Sequence, residues 1–523
     1  MEFEKWFKIK KYPHIGKPIT VQDYGWVKRY VEDPDKIRKH SFLPLIHKPI
    51  VKRRFRPDSN SDQKRNESGK RTRKKDKPKV RHIFFSSHLD AMVLSKYNQI
   101  VSDAYEAFIE DKEYKDCIVA YRKIRINPNA DKCKCNIDFA KSSFEFINSM
   151  RNQSLSVIVA DVSDFFDSLD HKILKKQWCK ILDRNNLPDD HYNIFKGLTQ
   201  FNYVDATHLF ESYNNTMIVE CGIPNSNVLK AYKRKPIKSL KYSIEKNAVS
   251  YCEKDDFFKN NLNLIISKKT KKGIPQGSPI SATLANVYML EFDSIIYSKI
   301  KSINGFYQRY SDDLIIVCHQ THEDQILSTL RTLIKDKVEL KIEPKKTKLF
   351  RFDGTSGVYK GAYVDEISKA YNYNRTLEYL GFSFDGQRVL IKTSGFSKFY
   401  RSMKSSLKKS ASLAIFSKNP DHKLFKSRLY KRFSYKGAKR RLKFRPSRED
   451  RTRYVPSKEF HWGNYLSYIY KANFMFRPLN GGDTIKHQSR KFWKSFNSLL
   501  KFHENRINSW HNPKTQKDIE GKG

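Results

Sequence analysis

The chain has 523 residues, is 38% hydrophobic and carries 102 Lys and Arg against 56 Asp and Glu, a formal net charge of +46. Its length allows about two to four packed domains. A charge imbalance of this size costs self-repulsion in any compact state, and a polyanionic partner offsets it, so nucleic acid is the leading partner class. An acidic membrane surface fits less well, because the positive charge is spread along the whole chain. No apolar run is long enough to span a bilayer, and Met1-Glu2-Phe3-Glu4-Lys5-Trp6 lacks the apolar core of a secretory leader. The seven Cys residues are scattered, with Cys133 and Cys135 the only close pair and no zinc-finger spacing. They read as reduced thiols of a cytoplasmic protein.

Residues 1 to about 50 mix aromatic and basic residues with Pro13, Pro18, Pro34, Pro44 and Pro49, which suits an ordered lead-in of short elements. Residues 52–80 are basic and almost free of apolar side chains, so a mobile loop is expected. Arg73, Lys74 and Lys75 are its candidate phosphate contacts; a solvated linker is the plain alternative. A strand is expected over Lys79–Phe85, a helix over 88–111, a second strand over Cys117–Lys123 and a helix over 139–150. Arg81 and Arg122 in this unit could grip a triphosphate, or serve as ordinary surface cations.

Leu155–Ala160 is an apolar β-run that ends in Asp161. A carboxylate at the C-terminal end of a buried strand is a common site position. Asp164 and Asp167 read as turn and cap residues. Residues 170–272 are loosely patterned, with two or three helices expected. Within them 230–246 is a basic stretch that suits either an insertion facing nucleic acid or a solvated surface, with Pro236 breaking any helix there. Gly273-Ile274-Pro275-Gln276-Gly277-Ser278-Pro279 then builds a shaped loop that lets backbone approach a substrate, leading into a helix over 281–298.

Next come Gly305–Arg309, Tyr310-Ser311-Asp312-Asp313 and the β-branched run Leu314–Cys318. Two short strands around an Asp pair make a hairpin. Alone, the pair is as well explained by a solvated turn as by a metal site. Together with Asp161 and the Gly-rich loop it forms a constellation able to hold two Mg²⁺ ions, with Mn²⁺ as a substitute, for nucleotidyl transfer.

This ordered series of blocks, over roughly residues 80–392, resembles a reverse transcriptase. The resemblance implies an α+β right-hand polymerase, with fingers, a palm built on an antiparallel sheet, a helical thumb and a basic helical C-terminal extension. It places the N-terminal extension at 1–80, the fingers at 81–155, the palm at 156–394 with an insertion at about 205–272, and the thumb and C-terminal region at 395–523. It makes Asp161, Asp312 and Asp313 the metal-binding catalytic residues and Lys346 a proton donor to pyrophosphate. Arg81, Arg122, Phe166, Gln276 and Gly277 become dNTP contacts, with Phe166 the aromatic gate that excludes a 2′-hydroxyl. Leu380, Gly381 and Phe382 become the primer grip. An RNA template, a DNA product and dNTPs follow, with no membrane partner, and a homo-oligomer or a second reverse transcriptase subunit is possible.

Beyond residue 395 the chain is basic and reads as mostly helical. Phe396, Phe399, Met403 and Leu407 form a thumb-like stripe, and further helices are expected near 459–475 and 486–506. Arg440 and Arg441 lie in a charge run that suits RNA contact or a solvated helix face. The last dozen residues are expected to be disordered. The flanks, including Tyr12-Pro13-His14-Ile15 and Gly463-Asn464-Tyr465, resemble the bacterial unknown-group reverse transcriptases, several of which act in antiphage defence with a noncoding RNA. The alternatives are a mobile-element enzyme of the group II intron or retron kind, and a catalytically inactive nucleic-acid-binding derivative.

Overall fold

The computed structural model describes residues 3–52, 55–57, 73–75, 78–221, 231–343, 347–354, 358–416, 423–447, 453–461 and 463–510. The architecture is α+β, arranged as fingers, palm and helical thumb. Its centre is a six-stranded sheet in which Leu155–Asp161 lies between Asp313–His319 and Lys348–Asp353, antiparallel to both. Phe306–Tyr310 closes one side, and Lys360–Val364 with Tyr371–Asn372 extends the other.

Leu155–Ala160 reads as a continuous apolar run because both faces of the sheet are covered. Ile158 and Ala160, with Leu314 and Ile316 of the neighbouring strand, pack into one core that includes the helices His88–Ile109 and Ser281–Tyr288. Val157 and Val159, with Ile315 and Val317, pack into a second core shared with the thumb helices Thr393–Ile415, Tyr465–Asn480 and Arg490–Trp510. The alternation is the two-residue period of a strand, so one short segment joins two cores. Truncating a fully buried side chain here, such as Ile316, should cost about 2–5 kcal/mol.

A second sheet pairs Leu45–Lys52 with Lys79–Phe85 and, on its other side, with Asn202–Asp205. Several sequence expectations are corrected. Residues 117–123 form no strand: a 3₁₀ turn over Glu113–Cys117 leads to a single bridge between Ile118 and Arg309, and Tyr121 takes a left-handed φ of 63°. The 52–80 stretch is not simply a loop, because Phe55–Pro57 pairs with Arg73–Lys75 as an antiparallel ribbon. Residues 170–272 hold more than helices. Thr216–Cys221, Ala231–Pro236 and Ala248–Cys252 form a sheet with the lead-in segment His14–Ile15, over a small core shared with Ile46 and Val204 of the neighbouring sheet. Pro236 therefore ends an edge strand rather than breaking a helix. The expected 281–298 helix is two abutting helices, Ser281–Tyr288 and Leu290–Lys301. The charge run near 440 enters a strand, Arg441–Pro446, paired with Tyr454–His461. The final dozen residues lie outside the described residues.

Candidate active site

Asp161 is the last residue of its strand, and its ladder partner is Asp313, the first residue of the strand after the tight turn. Antiparallel pairing puts directly opposed side chains on one face at close range. Two carboxylates distant in the chain therefore face the same space. Asp312 sits in the turn, where its carbonyl accepts a hydrogen bond from the Val162 amide at 3.0 Å. All three acids are half-buried. The chain after Asp161 is held as well: the Glu343 amide donates to the Asp161 carbonyl at 2.9 Å, and the Ser163 amide to the Lys341 carbonyl at 2.8 Å. Among the described residues no three His, Cys, Asp or Glu side chains converge tightly enough to enclose a metal ion alone. Two carboxylates opposed on one face, those of Asp161 and Asp313, offer the hard oxygen ligands that Mg²⁺ prefers, with water and substrate phosphate left to complete its shell.

The turn is fixed from behind by a pair that sequence reasoning missed. Arg309 and Asp293 are both fully buried and joined by two hydrogen bonds, Nε to Oδ1 at 2.8 Å and Nη2 to Oδ2 at 2.5 Å. Arg309 also donates to the Ser311 carbonyl and to Asn286 Oδ1, each at 3.2 Å, while the Tyr307 hydroxyl donates to Asp293 at 2.7 Å. Burial pulls the Arg309 guanidinium pKa down, and the adjacent Asp293 carboxylate more than reverses this, holding it above the ordinary value. The network supports Ser311, whose φ of 61° is left-handed. Tyr121 adds a contact from the other side, its hydroxyl donating to Ser311 Oγ at 3.1 Å. An Arg inside an otherwise uncharged strand was the available signal; Asp293 lies in a helix that also carries Glu291, Lys299 and Lys301.

The Gly-rich loop docks between fingers and palm. The Gly273 and Ile274 amides donate to the Leu169 and Phe166 carbonyls at 2.7 and 2.9 Å, and the Gln276 carbonyl accepts from the Phe84 amide at 2.9 Å. Gly277 has φ +115°, and a Cβ there would lie 2.8 Å from the Phe84 carbonyl, so the close approach needs glycine. That Cβ position is 3.1 Å from Ile83 Cγ2. Arg81, two residues earlier on the same strand, shares that face and is exposed. Phe166 is half-buried beside Phe165 and leaves the strand end next to this loop.

Other candidates are placed differently. Arg122 is spent inside the protein: it grips Glu106 with bonds of 2.9 and 2.8 Å and also donates to the Lys115 and Ile118 carbonyls. With its side chain buried, Arg122 is not the ordinary surface cation that was the alternative to a triphosphate grip; its guanidinium is committed to Glu106 and the two carbonyls. Leu380 and Gly381, at φ 44° and 91°, make a two-residue turn between Leu377–Tyr379 and Phe382–Phe384. Phe382 is wholly buried, whereas Leu380 is half-buried against the thumb core and Gly381 is exposed. Arg440 stacks on the Phe460 ring at 3.7 Å, and Arg441 donates to the Lys436 carbonyl. Lys346 lies outside the described residues, as do the side chains of Arg73, Lys74 and Lys75.

Residues 227–384 match the family model described as reverse transcriptase (RNA-dependent DNA polymerase). No curated protein matches the chain. Among solved structures it is similar to apo telomerase from Candida tropicalis, with 13% identity and a TM-score of 0.36 over 77% of this chain and 60% of that one. It is also similar to telomerase from Candida albicans in complex with a TWJ fragment of telomeric RNA, with 11% identity and a TM-score of 0.34 over 93% and 64%. The chain spans less than two thirds of the length of these telomerase chains, and likeness this loose carries no functional argument. No helix among the described residues is long and apolar enough to cross a membrane. The matched stretch contains Asp312 and Asp313, and the central sheet brings Asp161, which lies outside that stretch, into register with Asp313 inside it.

Proposed function

We propose that this protein is an RNA-directed DNA polymerase that makes cDNA by two-metal nucleotidyl transfer. The observation that carries the reading is the register of Asp161 opposite Asp313, with Asp312 in the adjoining turn. Asp161, Asp312 and Asp313 would hold the ions, Mg²⁺ or in substitution Mn²⁺. When bound, such ions favour the ionised 3′-hydroxyl and stabilise charge on the transferring phosphoryl group. Arg81 and the backbone of the Gln276–Gly277 loop orient the incoming dNTP. Phe166 occupies the space a 2′-hydroxyl would need, Lys346 supplies a proton to the departing pyrophosphate, and the Leu380–Gly381 turn positions the primer end. Purified protein, a primed RNA template, dNTPs and Mg²⁺ test the proposal. Primer extension that vanishes in Asp312→Ala supports it, and extension at an unchanged rate in that variant refutes it.

The biological setting proposed is bacterial, cytoplasmic antiphage defence with a dedicated noncoding RNA. What supports it is the resemblance of both flanks to the unknown-group enzymes and the abundance of basic segments outside the polymerase blocks. A held RNA presents its template at high effective concentration, so one cDNA is favoured over random copying. Phage challenge of cells carrying the locus, with sequencing of bound RNA and new cDNA, tests this. A broad mixture of host templates, without Asp312-dependent protection, would leave the polymerase reading standing and remove the defence reading.

A further inference from the structure

The sheet that lies, in sequence, between the Asp161 strand and the Gly-rich loop ends in Ala231–Pro236, which among the described residues pairs with Thr216–Cys221 alone and forms the sheet edge. From 231 to 246 the chain carries six cations against Glu245 alone. Lys233, Lys235, Lys238, Lys241 and Lys246 are all exposed. None of these five forms an ion pair among the described residues. The preceding stretch, 222–230, contains no Asp or Glu that could neutralise them. Arg234 differs: it stacks on Tyr213 at 4.8 Å and donates to Thr216 Oγ1 and the Tyr251 carbonyl, so it pins the edge strand down. Two aromatic rings, Tyr232 and Tyr242, stand among the lysines, 38% and 37% exposed, with Lys241 Nζ over the Tyr242 ring at 5.8 Å.

A lysine-rich edge strand is a common way to block strand addition. That role needs one or two charges, and it does not explain the continuation through Lys238, Lys241 and Lys246 beyond the strand. Unneutralised cations interleaved with exposed rings suit a single-stranded polynucleotide, whose backbone takes the charge and whose bases take the rings. The surface is firmly attached. Its core includes Ile46 and Val204 of the fingers strands, and Asn202–Asp205 pairs directly with Leu45–Lys52. A strand held here is thus held by the same rigid block that docks the Gly277 loop against Phe84.

We infer that the edge strand and turn at 232–246 form a docking surface for an unpaired stretch of RNA, separate from the carboxylate site. The choice of RNA over DNA rests on the polymerase reading above. The test uses the full chain and Lys233→Glu/Lys235→Glu/Lys238→Glu, with a twenty-nucleotide unstructured RNA, DNA of the same sequence, and duplex DNA. Binding is followed by anisotropy across a salt series, and folding by thermal melting. For RNA the log–log salt slope should flatten by about 2, at roughly 0.7 per lost phosphate contact, with the melt unchanged. Tyr232→Ala/Tyr242→Ala should weaken RNA binding while leaving the slope alone. An unchanged RNA slope and affinity in the triple variant overturns the inference. So does an equal loss on duplex DNA, or tighter binding of the single-stranded DNA than of the RNA. If the slope flattens while wild-type protein extends no primer, the docking surface stands and the polymerase reading fails.

Discussion

Charge is handled in opposite ways behind the Asp312 turn and on the edge strand at 231–236. Arg309 and Asp293 are completely buried, doubly bonded to each other and surrounded by further donors and acceptors. The lysines of the edge strand face water without ion-pair partners among the described residues. The first arrangement sets a geometry, because a desolvated pair tolerates few positions. The second sets almost none by itself and gains its value when a polyanion arrives. One region should therefore respond to mutation in folding and chemistry, the other in salt-dependent binding.

The largest expected effect lies at the carboxylates that the buried pair supports. Asp161→Ala and Asp312→Ala should each lower dNTP incorporation by about a thousandfold or more, since several kcal/mol of charge stabilisation are lost. Their thermal melts should match wild type. Asp313→Ala should lower incorporation less, because Asp161 and Asp312 remain to hold an ion. Single-turnover primer extension measures all three, and a near-normal rate for Asp161→Ala would break the site assignment.

Next in size is the buried pair. Arg309→Met leaves Asp293 charged and unpaired, at a cost of about 3–5 kcal/mol. The double variant Arg309→Met/Asp293→Leu should regain much of that in denaturant melts, because both charges are gone. Lys233→Ala should stay within about 0.5 kcal/mol of wild type. Equal effects at Arg309 and Lys233 would erase the contrast.

His14 gives a pH-dependent version of the buried case. Its Nδ1 accepts from the Ile15 amide at 2.8 Å and its Nε2 meets the Phe85 carbonyl at 3.0 Å, which fixes a neutral ring. Burial lowers its pKa to about 4, against an opposing pull from Asp90 and the Phe85 carbonyl and with a further push from His88. The unfolded chain then binds a proton that the folded chain refuses between about pH 6.5 and 4. Stability is full above that window and falls as pH drops through it. The loss should be on the order of 1 kcal/mol by pH 5.5 and 3 kcal/mol below pH 4, at 1.36 kcal/mol per unit. Urea melts of wild type and His14→Gln across this range should converge toward acid.

Phe166→Ala should raise the ratio of rNTP to dNTP efficiency by on the order of tenfold, the scale expected for opening an apolar contact. An unchanged ratio with activity kept would remove the gate. The smallest effect concerns the ribbon at 73–75. Arg73→Glu/Lys74→Glu/Lys75→Glu should flatten the RNA salt slope by up to about 2 if all three touch phosphate. No change would return this ribbon to a solvated role.

The legible parts of the fold were those with strict local periodicity. Leu155–Asp161, the Tyr310–Asp313 hairpin and the thumb stripe at Phe399, Met403 and Leu407 all follow from side-chain spacing, and these strands carry the candidate acids. The 117–123 run has strand composition, but the chain reverses at Tyr121 and Arg122 folds back onto Glu106. The insertion sheet was illegible because its strands are short and one partner, His14–Ile15, is over two hundred residues away. The Arg309–Asp293 pair was hidden because a charge in a strand does not reveal whether its partner lies inside or in solvent.

Asp161 and Asp313 are ladder partners separated by a helical segment, an entire inserted sheet and the Gly-rich loop. A contact of such long sequence separation forms late, because the loop-closure entropy of the intervening chain must be overcome first. During synthesis the Asp161 strand emerges with both of its lateral partners, Asp313–His319 and Lys348–Asp353, still unmade. Its apolar edges then stay exposed until the second half arrives. A ribosome-bound fragment ending before residue 313 therefore lacks the Asp161–Asp313 pairing and carries a bare, aggregation-prone strand. The facing of the two carboxylates and escape from misassembly arrive in the same zippering event.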